Sequence, residues 1–515
     1  MRSDFANIRC SNSLWYWLGF ADWTGQLMTV VRDEKAAAAA KVKSGNKEKL
    51  NVFFLGFDSL SQMTFRRKLP KTVKVLEQVL GSTILNGYNI VGDGTPQAFI
   101  PILTGQTELE LPLTRRRFSD ASYVDDVYPF IWNNYSNSGY VTLFGEDVFQ
   151  VGTFSYRLKG FRKQPTTHYT RTFFKELEWT GDVDCMGDKP MFEHWFQYSK
   201  SFMKVYQDVP KFLLMHQATL SHDDLNKVAL QDDYLSAFLR DMYNTGMFDN
   251  TLVILMADHG HRFSQLRATH QGQLEERLPF FSFALPEAFK KTERGAVMQK
   301  NLEDNKARLT TPFDIHATLL DIVNLPSVEV LNKEQPLTQR SQSIFRKIKD
   351  ERTCDQAGIE THWCTCLDWQ DAKNETRRLK PLVYEIVKVF NKETAPEREL
   401  CAELEFKEIL DAKKLTANKD LLAYKNNKDA DGFVPDLDGK TEESFVFYQI
   451  KFETVPGNAI YEVTFQYEKN TRTLKLDFAS VSHVNEYGDA PHCIIDKNYF
   501  LASYCVCRDK VQRVQ

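Results

Sequence analysis

Three short stretches of the chain are apolar almost without interruption: NVFFLGF (Asn51 to Phe57), KFLLMHQ (Lys211 to Gln217) and NTLVILMA (Asn250 to Ala257). They lack the alternation of a half-exposed strand, and such runs mark strands buried on both faces. Between the last two, Val228, Leu235, Phe238, Leu239 and Met242 recur at helical spacing, and Gly246 suits a helix C-terminus. Strand, helix, strand in succession predicts a parallel sheet. In GDGTPQAFIPILTG (Gly92 to Gly105) the pattern predicts a helix start, with Thr95 as the cap and Pro96 in the first turn, where its missing N–H costs nothing.

The pattern changes at both ends. Residues 1–48 contain EKAAAAAKVKSGNKEK, a helix-prone, solvated stretch that reads as an atypical N-terminal segment and linker. After Pro326 the sequence turns charged and helical through EQPLTQRSQSIFRKIKDERTC and KPLVYEIVKVFNKETA. It then alternates with period two in ESFVFYQIKFETV, AIYEVTFQY and RTLKLDFASVSHV. The expected fold is α/β, a doubly wound, mostly parallel sheet over 49–330, followed by a smaller, disulfide-stapled α+β domain over 331–515.

The chain has 515 residues, 42% of them hydrophobic, enough for a large core and for two or three domains. A net charge of -4 excludes the basic excess of a nucleic-acid surface. The most apolar N-terminal stretch, Ser13 to Val31, is broken by Asp22, Thr24, Gln26 and Thr29, so it predicts neither a membrane span nor a secretion signal. Seven of the nine cysteines lie beyond residue 350, and eight remain when Cys10 is set aside. With the sequons at Asn134 and Asn374, this favours the secretory pathway or the extracellular space. A truncated or alternative N-terminus would account for the missing signal.

Ligands of open parallel sheets bind at the carboxyl ends of the strands. Here those ends carry Asp58, the pair Asp258–His259, and, past a short loop, His222. Carboxylates, an imidazole and the Thr95 hydroxyl suit zinc, with manganese, magnesium or calcium as alternatives. A divalent ion would activate the hydroxyl, and the N–H groups at the helix start would hold an anionic substrate. His216 reads as a core histidine. Glu275, Glu276 and Arg277 read as a structural ion-pair network, and Asp314 and His316 as structural residues in a helix that Pro312 begins.

Taken in order, FFLGFDS, GTPQAF and VILMADHGHRF resemble the alkaline phosphatase and sulfatase-like superfamily. LFGEDVF, LSHDDLN, LEERLPFF, CDQAGIETHWCTC and TVPGNAIYEVTF bring the chain nearest to the secreted animal domain-of-unknown-function 229 family of sulfatase-like proteins. The resemblance runs from Leu50 nearly to the C-terminus. It implies Asp58, Asp258, His259 and Thr95 as metal ligands and Thr95 as nucleophile. It also implies His222, Arg267 and His270 as substrate contacts or part of a second metal site. The implied activity is that of a metal-dependent phosphoric-ester hydrolase or phosphotransferase. The implied substrate is a small-molecule, lipid-headgroup or glycan ester. An inactive relative that binds a glycan or lipid headgroup is the alternative. A sulfatase is disfavoured, because sulfatases place a modifiable Cys, then Pro and Arg, where this chain has Thr95, Pro96, Gln97 and Ala98. Two further departures are Ala218, where a phosphodiesterase carries an acid, and Glu146–Asp147, where sulfatases carry a Lys.

Overall fold

The computed structural model describes residues 3–10, 23–45, 48–180, 184–262, 265–415, 445–469, 471–485 and 491–511. The apolar stretch from Ser13 to Val31 lies partly outside them. Among the described residues, no helix is long and apolar enough to cross a membrane. The chain divides into two units, one of residues 1–261 and 271–359, the other of 262–270 and 360–515.

The first unit begins with an antiparallel pair, β1 (Phe5–Cys10) and β2 (Trp23–Met28), then helix α1 (Glu34–Ser44). A seven-stranded sheet follows, built from β3 (Asn51–Phe57), β4 (Thr83–Ile84), β5 (Val141–Glu146), β6 (His168–Tyr169), β7 (Lys211–Gln217), β8 (Thr251–Ala257) and β9 (Phe281–Ala284). Its order is β4-β9-β8-β3-β7-β5-β6. Strands β8, β3, β7, β5 and β6 are mutually parallel, and β9 runs against them. The three apolar runs thus form the centre of the sheet, and every residue of β7 and β8 is buried.

Side chains alternate between the two faces of a strand. On β3, Phe53, Leu55 and Phe57 pack with Leu76 of α3 (Pro70–Gln78) and Leu235 and Leu239 of α6 (Asp232–Asn244). Val52 and Phe54 pack on the other face with Phe99 and Ile102 of α4 (Thr95–Thr104) and Ile315 and Leu319 of α8 (Pro312–Asn324). Helices on both faces make the sheet doubly wound. Helices α2 (Gln62–Lys68), α5 (Met191–Val205) and α7 (His270–Arg277) complete the set used below.

The N-terminal stretch packs on this unit rather than acting as a solvated linker. Asp33 caps α1 by accepting from Ala36 N at 2.9 Å, and the small side chains of Ala37 and Ala40 are buried in the core. Asp4 accepts from Val31 N at 2.7 Å and Tyr198 Oη at 2.9 Å, and lies 2.5 Å from His168 Nδ1.

The segment from Glu334 to Cys354 is irregular, not helical. Ile344, Phe345 and Ile348 insert into the core of the first unit. The amides of Asn301 and Asn305 donate to the carbonyls of Leu331, Ile344, Phe345 and Arg346 and hold the segment against the first unit. Apolar side chains pulled inward by those backbone bonds outweigh the helical propensity of the charged residues around them.

The second unit is an antiparallel sheet of β10 (Gln370–Asp371), β11 (Glu405–Leu415), β12 (Phe445–Val455), β13 (Ile460–Glu468) and β14 (Thr473–His483), in that order. Helix α9 (Thr376–Thr394) buries Leu379, Val383, Ile386 and Phe390 against Ile450, Phe452 and Tyr461. Disulfides join Cys401 to Cys505 and Cys493 to Cys507, and Cys354 and Cys364 are also disulfide-bonded. Cys10, Cys185 and Cys366 are free, so the even count of eight does not correspond to four bonds.

Candidate metal centre and nucleophile

Strand parity builds the site. Gly56 aligns with His216 of β7 and with Met256 of β8, so these three residues form one row across the sheet. His216 has the parity of Phe212 and Leu214, which face α4. Asp58 and Asp258 continue the same parity one pleat beyond, at the carboxyl ends of β3 and β8. The side chains of Asp58, His216 and Asp258 therefore share one face and one edge, and their ligand atoms lie within 4.8 Å of one another.

Hydrogen bonds aim each group. Asp258 Oδ1 accepts from Ser59 N at 3.0 Å and His259 N at 2.8 Å, and its Oδ2 is buried without a hydrogen-bond partner. Ser59 holds a left-handed backbone, φ 61°, and donates its hydroxyl to Asp58 Oδ1 at 2.8 Å. A non-glycine residue in that region is strained, and such strain gathers at functional sites. His259 Nδ1 donates to Gly260 O at 2.8 Å, which turns Nε2 toward the acids. That Nε2 has no hydrogen-bond partner and lies 3.4 Å from Asp258 Oδ2 and 3.7 Å from Asp58 Oδ1. That nitrogen beside two carboxylates calls for a positive charge, either a proton on the ring or a metal ion between the groups. Asp58, His216, Asp258 and His259 are 4%, 3%, 0% and 1% exposed, so water does not relieve the cost. The residues fit a divalent cation.

The electrostatics agree. Burial would push the Asp58 carboxyl up, but the charges of His222, His216 and His259 outweigh it and hold Asp58 far below the usual carboxylate range. Burial would push the His216 imidazole down, but Asp58, Asp258 and Glu146 raise it to about 9. The cluster thus holds positive charge strongly.

Thr95 is the first residue of α4 and not its cap. Gly94 takes the cap position with φ 101° and ψ 173°, a backbone that disfavours any side chain, and no side-chain cap bond is made. The Thr95 hydroxyl is thereby released from capping and donates to Asp58 Oδ2 at 3.4 Å. It sits at a helix N-terminus, where backbone N–H groups and the helix dipole favour an anion.

His222 follows β7 in a turn closed by Ser221 N and His222 N donating to Ala218 O. Asp147 holds the turn by accepting from Ala218 N at 2.6 Å and Thr219 N at 3.3 Å. The His222 ring is partly exposed, and its Nδ1 lies 2.6 Å from Asp223 Oδ1. Arg267 and His270 belong to the second unit. There Arg267 is buried 3.7 Å from Glu462 Oε1, and His270 Nδ1 lies 3.1 Å from Lys413 Nζ. The structure thus brings together Asp58, Asp258, His259 and Thr95, with the charge of His222 acting on Asp58. It places Arg267 and His270 among partners of the second unit.

Glu275 accepts from Ser61 Oγ, Thr64 Oγ1 and Arg67 Nη2, anchoring the start of α2. Asp314 is paired with Arg352, and His316 Nδ1 donates to Ile102 O. His216, read from the sequence as a core residue, instead faces the acids. Counting parity back from Asp58 and Asp258 across the aligned strands is the signal that finds it.

Three solved structures similar to the chain are a protein in the alkaline phosphatase superfamily from Vibrio parahaemolyticus, the lipoteichoic acid synthase LtaP from Listeria monocytogenes, and the C-terminal periplasmic domain of EcEptC from Escherichia coli. The first is 11% identical over 94% of this chain and 97% of its own, with a TM-score of 0.40. The second is 14% identical over 60% and 80%, with a TM-score of 0.34. The third is 12% identical over 59% and 87%, with a TM-score of 0.35. No curated protein matches the chain. A family profile described as "Protein of unknown function (DUF229)" matches residues 2–410, and the chain belongs to that family.

Proposed function

We propose that the protein is a metal-dependent phosphoric-ester hydrolase or phosphotransferase with Thr95 as its nucleophile. One observation carries the reading: Asp258 Oδ2 and His259 Nε2 are buried without hydrogen-bond partners beside Asp58, and the Thr95 hydroxyl reaches the same carboxylate. Asp58, Asp258, His259 and Thr95 would hold the ion, zinc before manganese, magnesium or calcium. When bound, the ion lowers the pKa of the hydroxyl and stabilises charge on a phosphoryl oxygen.

The chain's own residues do the rest. Asp58 receives the Thr95 hydrogen bond and orients Oγ1 at the helix start. The N-terminal N–H groups of α4 bind the phosphoryl oxygens. Thr95 Oγ1 attacks phosphorus, the bond to the leaving oxygen breaks, the hydroxyl proton passes to solvent, and the leaving oxygen takes a proton from solvent to depart as an alcohol. His222, oriented by Asp223, contacts the leaving group. Water or an acceptor alcohol then attacks phosphorus and restores Thr95. Disulfides and the exposed sequon residues Asn134 and Asn374 support a secretory or extracellular location.

A panel of aryl phosphate monoesters, diesters and sulfate esters tests the reading, with metal content measured in parallel. Thr95→Ala is expected to lower phosphate-ester turnover at least ~10³-fold, as removal of a nucleophile does, while bound metal is largely retained. Turnover unaffected by the substitution rules out Thr95 as nucleophile. Ala218, which leaves no acid at the second-site position, favours a different reading, a non-catalytic glycan or lipid-headgroup binder. Bound metal without turnover of any ester would select it.

A further inference from the structure

We infer that His216 is an additional ligand of the ion and makes the site selective for a nitrogen-preferring transition metal, zinc foremost, over calcium and magnesium. This rests on the metal-dependent reading above and extends it to a residue in the interior of a strand.

The geometry suits a ligand shared between the two acids. His216 Nε2 lies 3.7 Å from Asp58 Oδ2 and 3.8 Å from Asp258 Oδ2, almost equally far from both and too far to hydrogen-bond either. Both ring nitrogens are buried with no hydrogen-bond partner. A core histidine without a role would leave those two polar atoms as an uncompensated cost. His259 Nε2 repeats the pattern at 3.7 Å from Asp58 Oδ1 and 3.4 Å from Asp258 Oδ2. Two donors about 2.1 Å from one ion at the tetrahedral angle stand about 3.4 Å apart. The distances from each imidazole Nε2 to the carboxylate oxygens are of that order or a few tenths of an ångström longer.

The local structure holds the ring in place. Gly56 lies beside it in the sheet, and a Cβ there would stand 2.6 Å from His216 Nδ1. Phe99 closes the other side, edge to face, with ring centroids 4.7 Å apart. Wedged between a glycine and a phenyl ring, the imidazole can extend one pleat to the strand-end acids. Two imidazoles with two carboxylates suit zinc and its neighbours, whereas calcium and magnesium prefer oxygen donors alone.

Metal binding by the full chain tests this without recourse to turnover. Zinc-edge X-ray absorption of the zinc-loaded wild type is expected to show two imidazole ligands, and one imidazole would overturn the inference. In zinc titrations, His216→Phe, which keeps the ring against Phe99, is expected to lose more than roughly 100-fold in affinity, beyond what outer-shell changes cost. The loss should be accompanied by a changed visible spectrum of the cobalt form. Unchanged affinity and spectrum would also overturn it. Asp258→Asn separates the two levels. If it abolishes binding while His216→Phe leaves binding intact, the extra ligand fails and the metal-dependent reading stands. If the wild type binds no zinc, both fall.

Discussion

At Gly56, a hydrogen in place of a methyl group decides whether His216 can reach the strand-end acids. A Cβ there would meet His216 Nδ1 at 2.6 Å and Met256 Sδ at 3.2 Å. The sulfur can yield, but the imidazole is backed by Phe99 and cannot without turning away from Asp58 and Asp258. Gly56→Ala is therefore expected to weaken zinc binding and to cost about 1–3 kcal/mol of stability, the usual cost of overpacking. Zinc titration and denaturant unfolding read the two effects separately. A variant that binds zinc as wild type does would show that the ring position is not set by this glycine. Thr95 makes a related point. Its place before Pro96 reads as a cap, yet the chain reverses one residue earlier, at Gly94, because only glycine adopts that backbone easily. The sequence reading therefore places the hydroxyl at the right helix end and assigns it the wrong local role.

Elements carry the site through the turns that follow them. The turn after β7 hangs on Asp147, whose carboxyl burial pushes up to about 6 against the N–H groups of Ala218 and Thr219. Its folded pKa lies above the ~3.9 of a free aspartate, so folding favours the protonated form. The stability this supplies is fully present below about pH 4 and is lost as pH rises through about 6. Asp147→Asn cannot titrate, so between about pH 4 and pH 7 it is expected to gain about 1–3 kcal/mol on wild type. Parallel unfolding curves at the two pH values check this, and a constant difference would show that Asp147 titrates normally. Strands were legible because unbroken apolar runs have few other uses, and helix α6 because its apolar positions recur at helical spacing. The segment from Glu334 to Cys354 was not, because what shapes it comes from elsewhere in the chain. Asn301 and Asn305 bond its backbone, and Arg352 reaches the fully buried Asp314 at 2.8 Å. Arg352→Met should therefore cost about 3–5 kcal/mol by stranding that carboxylate. A thermal scan showing little change would mean that Asp314 finds another partner.

At the scale of the whole molecule, each unit has its own core, and two disulfides tie the C-terminal end of the second unit to its body. Cys401–Cys505 spans 104 positions and Cys493–Cys507 spans 14. Both act where Leu400 to Ala402 pairs with Val506 to Arg508, through Ala402 N to Val506 O and Arg508 N to Leu400 O. If these bonds act by restricting the unfolded chain, the longer loop should matter more, about 4–5 kcal/mol against about 3 for the shorter. Removing Cys401 and Cys505 together as alanines is thus expected to lower the denaturant midpoint of the second unit further than removing Cys493 and Cys507. The comparison needs a correction for packing, because Cys401, Cys505 and Cys507 are wholly buried and each alanine leaves a small void. Reduction of the wild type with both pairs present supplies it, since the sulfurs stay in place while the links are cut. Equal midpoint losses for the two alanine pairs, with no further loss on reduction, would place the stabilisation in local packing around the sulfurs rather than in the closed loop.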